Sequence, residues 1–345
     1  MAEGKMEPLC PVFGECGGCT YQNISYQEEL AVKNKQLQDL IEERLSVQKD
    51  IVLPVQASPE FYHYRHRIDL KLIKTRSKDI FIGFTPVSGR GVLPVEQCPI
   101  ARREISDYIP TLKKEVQEKL PDKYRMANLT VRSGDAKKVL WGGIGRRSLQ
   151  LTPDNYFWTE INGRRIYYSL DTFFQANLFI LPALFDFIRS LDIWTDQSLF
   201  LDLYGGVGLF GFGLADYCRK VVLIEENPAS VRLAHYNLNQ HQLRHVDIIE
   251  GRVEDHIQKV WDKYSAFSRR IAMIDPPRAG LSAEAAEFMV NMKELDYLMY
   301  LSCHPEALMR DLKIFIANGW TIETIKPFDF FPRTKHLETL VVLKS

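Results

Sequence analysis

Three cysteines stand close together near the start of the chain, in the run Cys10-Pro-Val-Phe-Gly-Glu-Cys16-Gly-Gly-Cys19. Clustered thiols in a chain without an export signal more often hold a metal or an iron–sulfur cluster than form disulfides. Cys98 is the candidate fourth ligand, because a Cys-Pro pair is a familiar end to a cluster-binding set. These four residues predict a [4Fe–4S] site, and structural zinc remains an alternative because four thiolates also satisfy a tetrahedral ion.

A glycine-rich turn, Tyr204-Gly-Gly-Val-Gly208, follows one apolar run, and Glu225 ends the next, 17 residues after Gly208. Such a turn lets the backbone pass beneath a nucleoside, and the carboxylate can accept hydrogen bonds from both ribose hydroxyls. The pair predicts an adenosine-containing cofactor, either NAD or S-adenosylmethionine. The glycines do not follow the order Gly-x-Gly-x-x-Gly, so a pyrophosphate cradle fits poorly.

Asp275-Pro-Pro-Arg278 follows a later apolar run and resembles the Asp-Pro-Pro signature of methyltransferases. In that signature a rigid turn holds backbone and carboxylate at the point of methyl transfer. Enzymes that methylate amino groups usually place an aromatic residue next, and Arg278 is not aromatic. The alternative is that Asp275 only caps its loop.

Cys303 follows the apolar run of residues 297–302 and precedes a predicted helix over residues 306–317. A thiol there would lie at the ligand-binding edge of a sheet, and we expect the helix N-terminus to lower its pKa. Uracil C5 is a poor nucleophile until a thiolate adds to C6, so a cysteine beside a methyl donor suits methylation at C5. Plain burial is the alternative for an isolated cysteine.

The same reaction needs a base that removes the C5 proton. Glu338 is the candidate, because it enters an otherwise apolar strand near residues 337–343. A charge on an edge strand is the alternative interpretation of an isolated glutamate.

The elements that must position these residues follow two patterns. An amphipathic helix over residues 26–45 precedes short alternating strands across residues 51–170, with a helix inserted at 106–118. From residue 171, five apolar runs alternate with helical stretches, and a hairpin closes the pattern. We therefore expect two domains, a β-rich one over residues 1–170 and, over residues 171–345, an α/β doubly wound sheet that binds ligands at the carboxyl ends of its strands.

The composition excludes several classes of protein. With 345 residues and 46% hydrophobic content the chain can build two cores, and no apolar run approaches the roughly 20 residues that span a bilayer. No apolar signal segment opens the chain, so we expect a cytoplasmic protein without a membrane partner. Lys plus Arg and Asp plus Glu both number 44, so only local charge can favour a polyanion. Residues 61–103 carry nine Arg or Lys against three acids, which suits either an RNA backbone or a solvated sheet face.

With these residues assembled, the chain resembles the RNA uracil-5 methyltransferases, which include bacterial 23S rRNA enzymes and a related tRNA enzyme. The resemblance runs over nearly the whole chain and rests on these motifs: Cys10, Cys16, Cys19 and Cys98, then Asp171-Thr-Phe-Phe-Gln175-Ala-Asn, Asp202-Leu-Tyr204, Glu225, Asp275-Pro-Pro-Arg, Ser302-Cys303 and His336-Leu-Glu338. It implies a class I methyltransferase, Rossmann-like sheet and an N-terminal, cluster-bearing RNA-binding domain. It also implies these roles: S-adenosylmethionine contacts from Gln175, Tyr204, Glu225 and Asp275, Cys303 as the nucleophile, and Glu338 as the base.

Three positions depart from the family pattern: Gly205 replaces a common Cys, His304 a common Asn, and His66 an Asn. None removes a group that the mechanism needs. Cys10 lies so near the start that we expect no β-barrel domain before it. Together with the cluster cysteines, this favours the shorter 23S rRNA enzymes. The expected partner is RNA, with no DNA and no second subunit.

Other functions remain as alternatives. They are a tRNA uracil-5 methyltransferase, a catalytically inactive iron–sulfur RNA-binding protein, a redox protein and a cytosine-5 methyltransferase. Intact Cys303 and Glu338 argue against lost catalysis, and a redox role would leave the cofactor pocket idle. The cytosine enzymes generally carry a Pro-Cys nucleophile, which is absent here. If a uridine is flipped into the site, Phe173, Phe174 and Phe330 are candidates to stack on it.

Overall fold

Helices and strands alternate along the chain much as the sequence predicts. The computed structural model describes residues 6–45, 47–119, 124–143 and 152–345. Within these ranges the helices are α1 (Tyr26–Arg44), α2 (Arg103–Lys119), α3 (Leu181–Ser190), α4 (Leu209–Gly213), α5 (Pro228–His241), α6 (Val253–Lys263), α7 (Ala283–Val290) and α8 (Pro305–Ala317). The strands are β1 (Arg67–Lys74), β2 (Ile80–Phe84), β3 (Leu93–Pro94), β4 (Met126–Ser133), β5 (Val139–Gly142), β6 (Phe157–Ile161), β7 (Arg164–Tyr168), β8 (Ser198–Leu203), β9 (Lys220–Glu225), β10 (Val246–Glu250), β11 (Arg269–Ile274), β12 (Tyr297–Ser302), β13 (Thr321–Phe328) and β14 (Glu338–Lys344).

A large mixed sheet forms the carboxyl-terminal half, with strand order β10-β9-β8-β11-β12-β14-β13 among the described residues. Strands β8 to β12 run parallel, and β14 runs antiparallel between β12 and β13. Every residue of β8 is buried, as expected for a central parallel strand with helices on both faces. The predicted doubly wound α/β sheet is therefore confirmed, together with its closing hairpin.

Apolar cores cover both faces of this sheet, and each includes a segment from the first 170 residues. Leu37 and Ile41 of α1 lie in the core on one face, next to α8. Phe157 and Ile166 of the β6–β7 hairpin lie in the core on the other face. Cys218 is buried in that second core, as the sequence indicates for a small hydrophobe. The predicted division of the chain at residue 170 stays a prediction.

Helix α1 starts where a capping box fixes its first turn. The Ser25 hydroxyl accepts a hydrogen bond from Glu28 N at 3.2 Å, and Ser25 N donates to the Glu28 carboxylate at 2.9 Å. This arrangement satisfies two of the N–H groups that a helix start leaves free. The cap therefore fixes where the chain leaves the cysteine run and begins to pack on the large sheet.

A smaller antiparallel sheet of order β3-β2-β1-β4-β5 forms the β-rich part of the described residues. One face packs on α2 around Ile68, Leu70 and Leu129. The predicted module also includes residues 120–123 and 144–151, which lie outside the described residues. None of the helices in the described ranges has the length and apolar character that a bilayer crossing requires.

Candidate active site

Four of the expected site residues come together at one edge of the large sheet. Ile274 pairs with both Leu203 and Tyr300, and Leu203 pairs with Ile224. Because these strands are parallel, the residues that end or follow them meet at the same edge. The expected site residues that end or follow these strands are Tyr204, Glu225, Asp275 and Cys303.

The antiparallel strand β14 brings the fifth residue, Glu338, to the same edge. Ser302 of β12 pairs with Thr339 of β14. Cys303 directly follows Ser302, and Glu338 directly precedes Thr339. Because the two strands are antiparallel, Cys303 and Glu338 are therefore neighbours. Glu338 is buried, and its charge acts on the Cys303 thiol. The expected nucleophile and base thus lie side by side, although 35 positions separate them in sequence.

The environment of Cys303 favours the neutral thiol. Burial, followed by the charges of Glu338 and Asp275, raises the pKa of Cys303 to about 11. The charge of Arg278 and a hydrogen bond from it act in the opposite direction. The predicted lowering of this pKa is wrong in direction, because burial and the two carboxylates raise it.

Arg278 links the Asp-Pro-Pro turn to the loop before Glu338. Its Nη2 lies 2.9 Å from both ring nitrogens of His336. Burial and, to a smaller extent, the Arg278 charge lower the pKa of His336 to about 4, so the ring is neutral near pH 7. Arg278 also opposes the rise in the pKa of Glu338 that burial and Asp275 cause. In the sequence, Arg278 is notable only because it is not aromatic. Its position beside both Cys303 and Glu338 could not be predicted from the sequence.

A groove of about 810 Å³ leads from solvent to Cys303. Residues of α1 such as Gln36 form one wall, and the start of α8 with Lys335 and His336 forms the other.

The cofactor side of the edge is a cleft built around Gln175 and Asp275. Gln175 Nε2 donates a hydrogen bond to Asp275 Oδ2 at 2.5 Å. The Glu225 carboxylate accepts from Gly206 N at 2.9 Å and from Asn227 N at 2.6 Å. A small cavity of about 50 Å³ touches Gln175 and Asp275, and a larger one of about 750 Å³ shares Asp275 and Tyr204 with it. Together they provide room for an elongated nucleoside.

Tyr204 has a left-handed backbone, with φ of 59°, and its hydroxyl donates to Glu254 at 3.2 Å. Such a conformation is uncommon for a residue other than glycine and is frequent at functional sites. Glu254 follows β10 at the same sheet edge. The sequence does not single out Glu254, because acidic residues are common in the first turn of a helix.

Carboxylates are concentrated beneath this cleft. Burial raises the pKa of Asp202 to about 8, and the charges of Glu225 and Asp275 contribute to the rise. Burial likewise raises the pKa of Asp275 to about 7. Like charges held together in a low dielectric favour binding of a cation, and S-adenosylmethionine carries a positively charged sulfonium. The residues present therefore fit this methyl donor.

Two glycines of the turn have no space for a side chain. Gly208 has φ of 88°, and a Cβ atom there would lie 2.2 Å from the Phe212 ring. A Cβ atom at Gly205 would lie 2.8 Å from Leu223 and 2.9 Å from Asp202. Close packing against these side chains therefore accounts for glycine at the position where the family often has cysteine.

His66, another departure from the family pattern, holds the backbone at Gln175. Its ring nitrogens lie 2.5 Å from the carbonyl oxygen of Gln175 and 3.2 Å from that of Ser133. Burial and the charge of Arg132 keep the pKa of His66 well below its usual range. The small sheet thus contributes directly to the cofactor cleft.

The four cysteines of the predicted metal site line a single cavity of about 190 Å³. Each sulfur faces an N–H donor, namely Val12 N–H at Cys10, Gly18 N–H at Cys16, the Gln22 amide at Cys19, and Ile100 and Ala101 N–H at Cys98. Gln22 Nε2 is buried and has no hydrogen-bond partner among the described residues. Donors aimed at sulfur are a regular feature of thiolates that bind metal clusters.

Burial raises the pKa of all four thiols, to about 12 at Cys19, where the other three cysteines contribute. A positively charged metal centre would reverse this effect by favouring the thiolates. Within the described ranges, no three His, Cys, Asp or Glu side chains converge closely enough to hold a single ion.

The predicted basic segment is only partly free to bind a polyanion. Arg67 pairs with Asp69 at 3.0 Å, and Arg102 pairs with Asp135 at 3.3 Å. Lys74 is buried. The exposed cations of the segment are Arg76, Lys78, Arg90 and Arg103.

Comparison with known proteins places the chain in a family. The family model for tRNA (Uracil-5-)-methyltransferase matches residues 147–345. An uncharacterized RNA methyltransferase of Thermotoga maritima is 26% identical over 99% of this chain and 85% of the relative. The 23S rRNA (uracil(1939)-C(5))-methyltransferase RlmD of Aliivibrio fischeri is 27% identical over 99% of this chain and 83% of the relative.

The fold is also known from a crystal structure. The Pyrococcus abyssi tRNA (uracil-54, C5)-methyltransferase, solved with S-adenosyl-L-homocysteine, is 20% identical and superposes with a TM-score of 0.69 over 96% of this chain and 86% of that one. This likeness confirms the class I methyltransferase fold. With the family model covering more than half of its length, the chain belongs to the tRNA (Uracil-5-)-methyltransferase family and is an S-adenosylmethionine-dependent RNA uracil-5 methyltransferase.

Proposed function

We propose that the chain methylates C5 of a uridine in 23S rRNA through a covalent bond between Cys303 and C6 of the base. The observation that carries the chemistry is the pairing of Ser302 with Thr339, which puts Cys303 beside Glu338. The RNA target rests on relatives named as 23S rRNA enzymes that match almost the whole chain. A tRNA target is the second candidate, because the family description and the Pyrococcus protein both name tRNA.

In this mechanism the Cys303 thiolate adds to C6, and the C5–C6 electron pair becomes nucleophilic at C5. S-adenosylmethionine supplies the methyl group that C5 accepts. Glu338 then removes the proton from C5, the electrons of that C–H bond restore the C5–C6 double bond, and the C6–S bond breaks to release the thiolate. Arg278 contacts Cys303 and offsets the negative charges around it, so we assign it to stabilising the thiolate.

The methyl donor would be held by Gln175, Tyr204, Glu225 and Asp275. Glu225 is fixed by two backbone N–H groups and suits ribose hydroxyls, whereas Asp275 and its neighbours suit the cationic end of the donor. Tyr204 lines both cavities of the cleft.

The target base would enter through the groove that ends at Cys303, flipped out of the folded RNA. Phe173, Phe174 and Phe330 are the three candidates to stack on the base. Phe174 is already stacked on Tyr168, with 4.0 Å between the ring centroids, and Phe330 is buried. Phe173 is 67% exposed and touches the cofactor cleft, so we assign base stacking to it. Residues 1–170 would grip the RNA outside the groove.

The test of the reaction is incubation of rRNA and tRNA with methyl-labelled S-adenosylmethionine, followed by digestion and mass spectrometry. Wild type should yield labelled 5-methyluridine in 23S rRNA, and Cys303→Ala should yield none. Cys218→Ala is the matched control, because this thiol lies in the core away from the sheet edge. Label in tRNA alone would favour the second candidate. No label from a folded chain would support a catalytically inactive RNA-binding protein.

We also propose that Cys10, Cys16, Cys19 and Cys98 hold a [4Fe–4S] cluster. The proposal is supported by the single cavity that all four thiols line and by the N–H donors at the four sulfurs. Anaerobic purification should give about four iron and four sulfide per chain, and Cys16→Ser should lose both. One zinc per chain without sulfide would contradict the cluster.

A further inference from the structure

A loop of residues 329–337, here named the base loop, runs from β13 into β14 and ends at Glu338. It has no regular secondary structure. Within it Arg333 has φ of 67°, a left-handed conformation that is costly for a residue other than glycine. Contacts from elsewhere must therefore hold the loop in place.

Arg333 connects this loop to the cysteine run. Its carbonyl oxygen accepts hydrogen bonds from Thr20 N at 2.7 Å and Tyr21 N at 3.1 Å, and Thr20 directly follows Cys19. Its guanidinium donates to Tyr21 O at 3.2 Å and to Ile24 O at 2.9 Å. Arg333 is buried, so these bonds are shielded from water.

Other contacts hold the same stretch. The Tyr64 hydroxyl donates to Pro332 O at 2.9 Å from the core of the small sheet. Glu29 of α1 accepts from Arg333 N at 2.7 Å. Lys33 lies 2.7 Å from both Glu29 and Asp329 in a buried ion pair network. The base loop is thus tied to α1, to the cysteine run and to the small sheet.

The far end of the loop enters the active site. His336 contacts Arg278, and Glu338 lies next to Cys303. Among the described residues, the hydrogen-bond partners of Arg333 and Tyr64 lie away from Cys303 and Glu338, so we expect any effect on the reaction to pass through the loop.

We propose that Arg333 and Tyr64 are positioning residues for Glu338, and that they transmit the placement of the cysteine-bearing segment to the base. This inference rests on the proposed function. It assigns the cysteine site a part in proton removal, through the backbone of Thr20 and Tyr21.

The step that we expect to fail is removal of the proton from C5. With Glu338 displaced, Cys303 can still add to C6 and C5 can still gain the methyl group. The C5 proton then stays, the C6–S bond cannot break, and methylated RNA remains attached to the protein. A structural fault that spread through the whole site would instead prevent the bond from forming.

The experiment compares full-length wild type, Tyr64→Phe and Arg333→Lys in single-turnover reactions on the RNA that wild type methylates. Products are separated on a denaturing gel and binding of S-adenosylmethionine is measured in parallel. We expect turnover about tenfold lower, a denaturation-resistant protein–RNA complex that accumulates, and an unchanged Kd for the methyl donor. Tyr264→Phe is the control, because it removes a tyrosine hydroxyl that bonds Asp247 far from the site.

Tyr64→Phe removes a single hydroxyl, so we expect this variant to fold. Arg333→Lys keeps the positive charge opposite Glu29. Wild-type turnover in both variants would overturn the proposal. Reduced turnover without the accumulated complex would also overturn it, because the fault would then precede proton removal. If wild type methylates no RNA, the proposed function fails first, and this inference falls with it.

Discussion

In the proposed mechanism Cys303 and Glu338 must each lose a proton to act, and the protein raises the pKa of both groups. Burial and the charges of Glu338 and Asp275 raise the pKa of Cys303 to about 11, and burial and the charge of Asp275 raise that of Glu338 well above its usual range. Two such groups in a low dielectric cannot both be charged without a compensating cation. Arg278 is one such cation, because it hydrogen-bonds to Cys303, and a positively charged methyl donor would supply another. We therefore expect binding of the methyl donor to favour the thiolate.

Alkylation of Cys303 tests this environment. The rate should rise about tenfold per pH unit until pH approaches 11, because only the thiolate reacts. Glu338→Gln should move the midpoint to lower pH by removing a negative charge, and Arg278→Met should move it to higher pH. Peptide mapping of iodoacetamide adducts measures the rate at this cysteine. A midpoint near the ordinary thiol value of 9.0 in all three proteins would contradict the assignment.

At the scale of elements, helix α8 begins one residue after His304, which serves as its cap. The Nδ1 atom of His304 accepts a hydrogen bond from Ala307 N at 3.3 Å. Asparagine is among the best residues at such a position, so we expect an Asn here to cap the helix as His304 does. The departure from the family pattern thus keeps a capping side chain directly after Cys303.

Replacement of the cap should change stability in a graded way. His304→Ala should lower the free energy of unfolding by about 1 kcal/mol, because one N–H group of the first turn loses its partner. His304→Asn should leave it unchanged or slightly higher. Urea unfolding followed by circular dichroism gives the difference. Equal losses in both variants would show that the ring packs rather than caps.

The sequence was sufficient for the parallel part of the sheet, because each strand is a short apolar run that ends at a polar or glycine-rich turn. It also located Cys303, Glu338 and the four cysteines. It could not show that β14 inserts between β12 and β13, since that pairing depends on residues far apart in the chain. The raised pKa of Cys303 was missed for the same reason, because burial arises only when distant elements pack.

At the scale of the whole molecule, buried carboxylates make stability depend on pH. Asp202 is buried, and its pKa is raised to about 8 from an ordinary 3.8. Between these values the folded state binds more protons than the unfolded state, so the free energy of unfolding falls as pH rises. Binding of the cationic methyl donor should oppose this loss.

Asp202→Asn should remove part of that dependence. The amide oxygen can still accept from Gly211 N, which now bonds the carboxylate at 2.7 Å. Relative to wild type, the variant should therefore gain stability from pH 5 to pH 8, as measured by thermal unfolding without ligand. Asp186→Asn, on the surface of α3, is the control and should follow the wild-type curve. Parallel curves for wild type and Asp202→Asn would exclude the carboxylate as the source.

The pairing of Ser302 with Thr339 means that the spacing between the proposed nucleophile and the proposed base is set by main-chain hydrogen bonds inside a sheet. Substitutions of surface side chains need not disturb those bonds. Members of a lineage can therefore exchange one RNA target for another while they inherit the same reaction centre, so kinship in chemistry need not extend to choice of substrate.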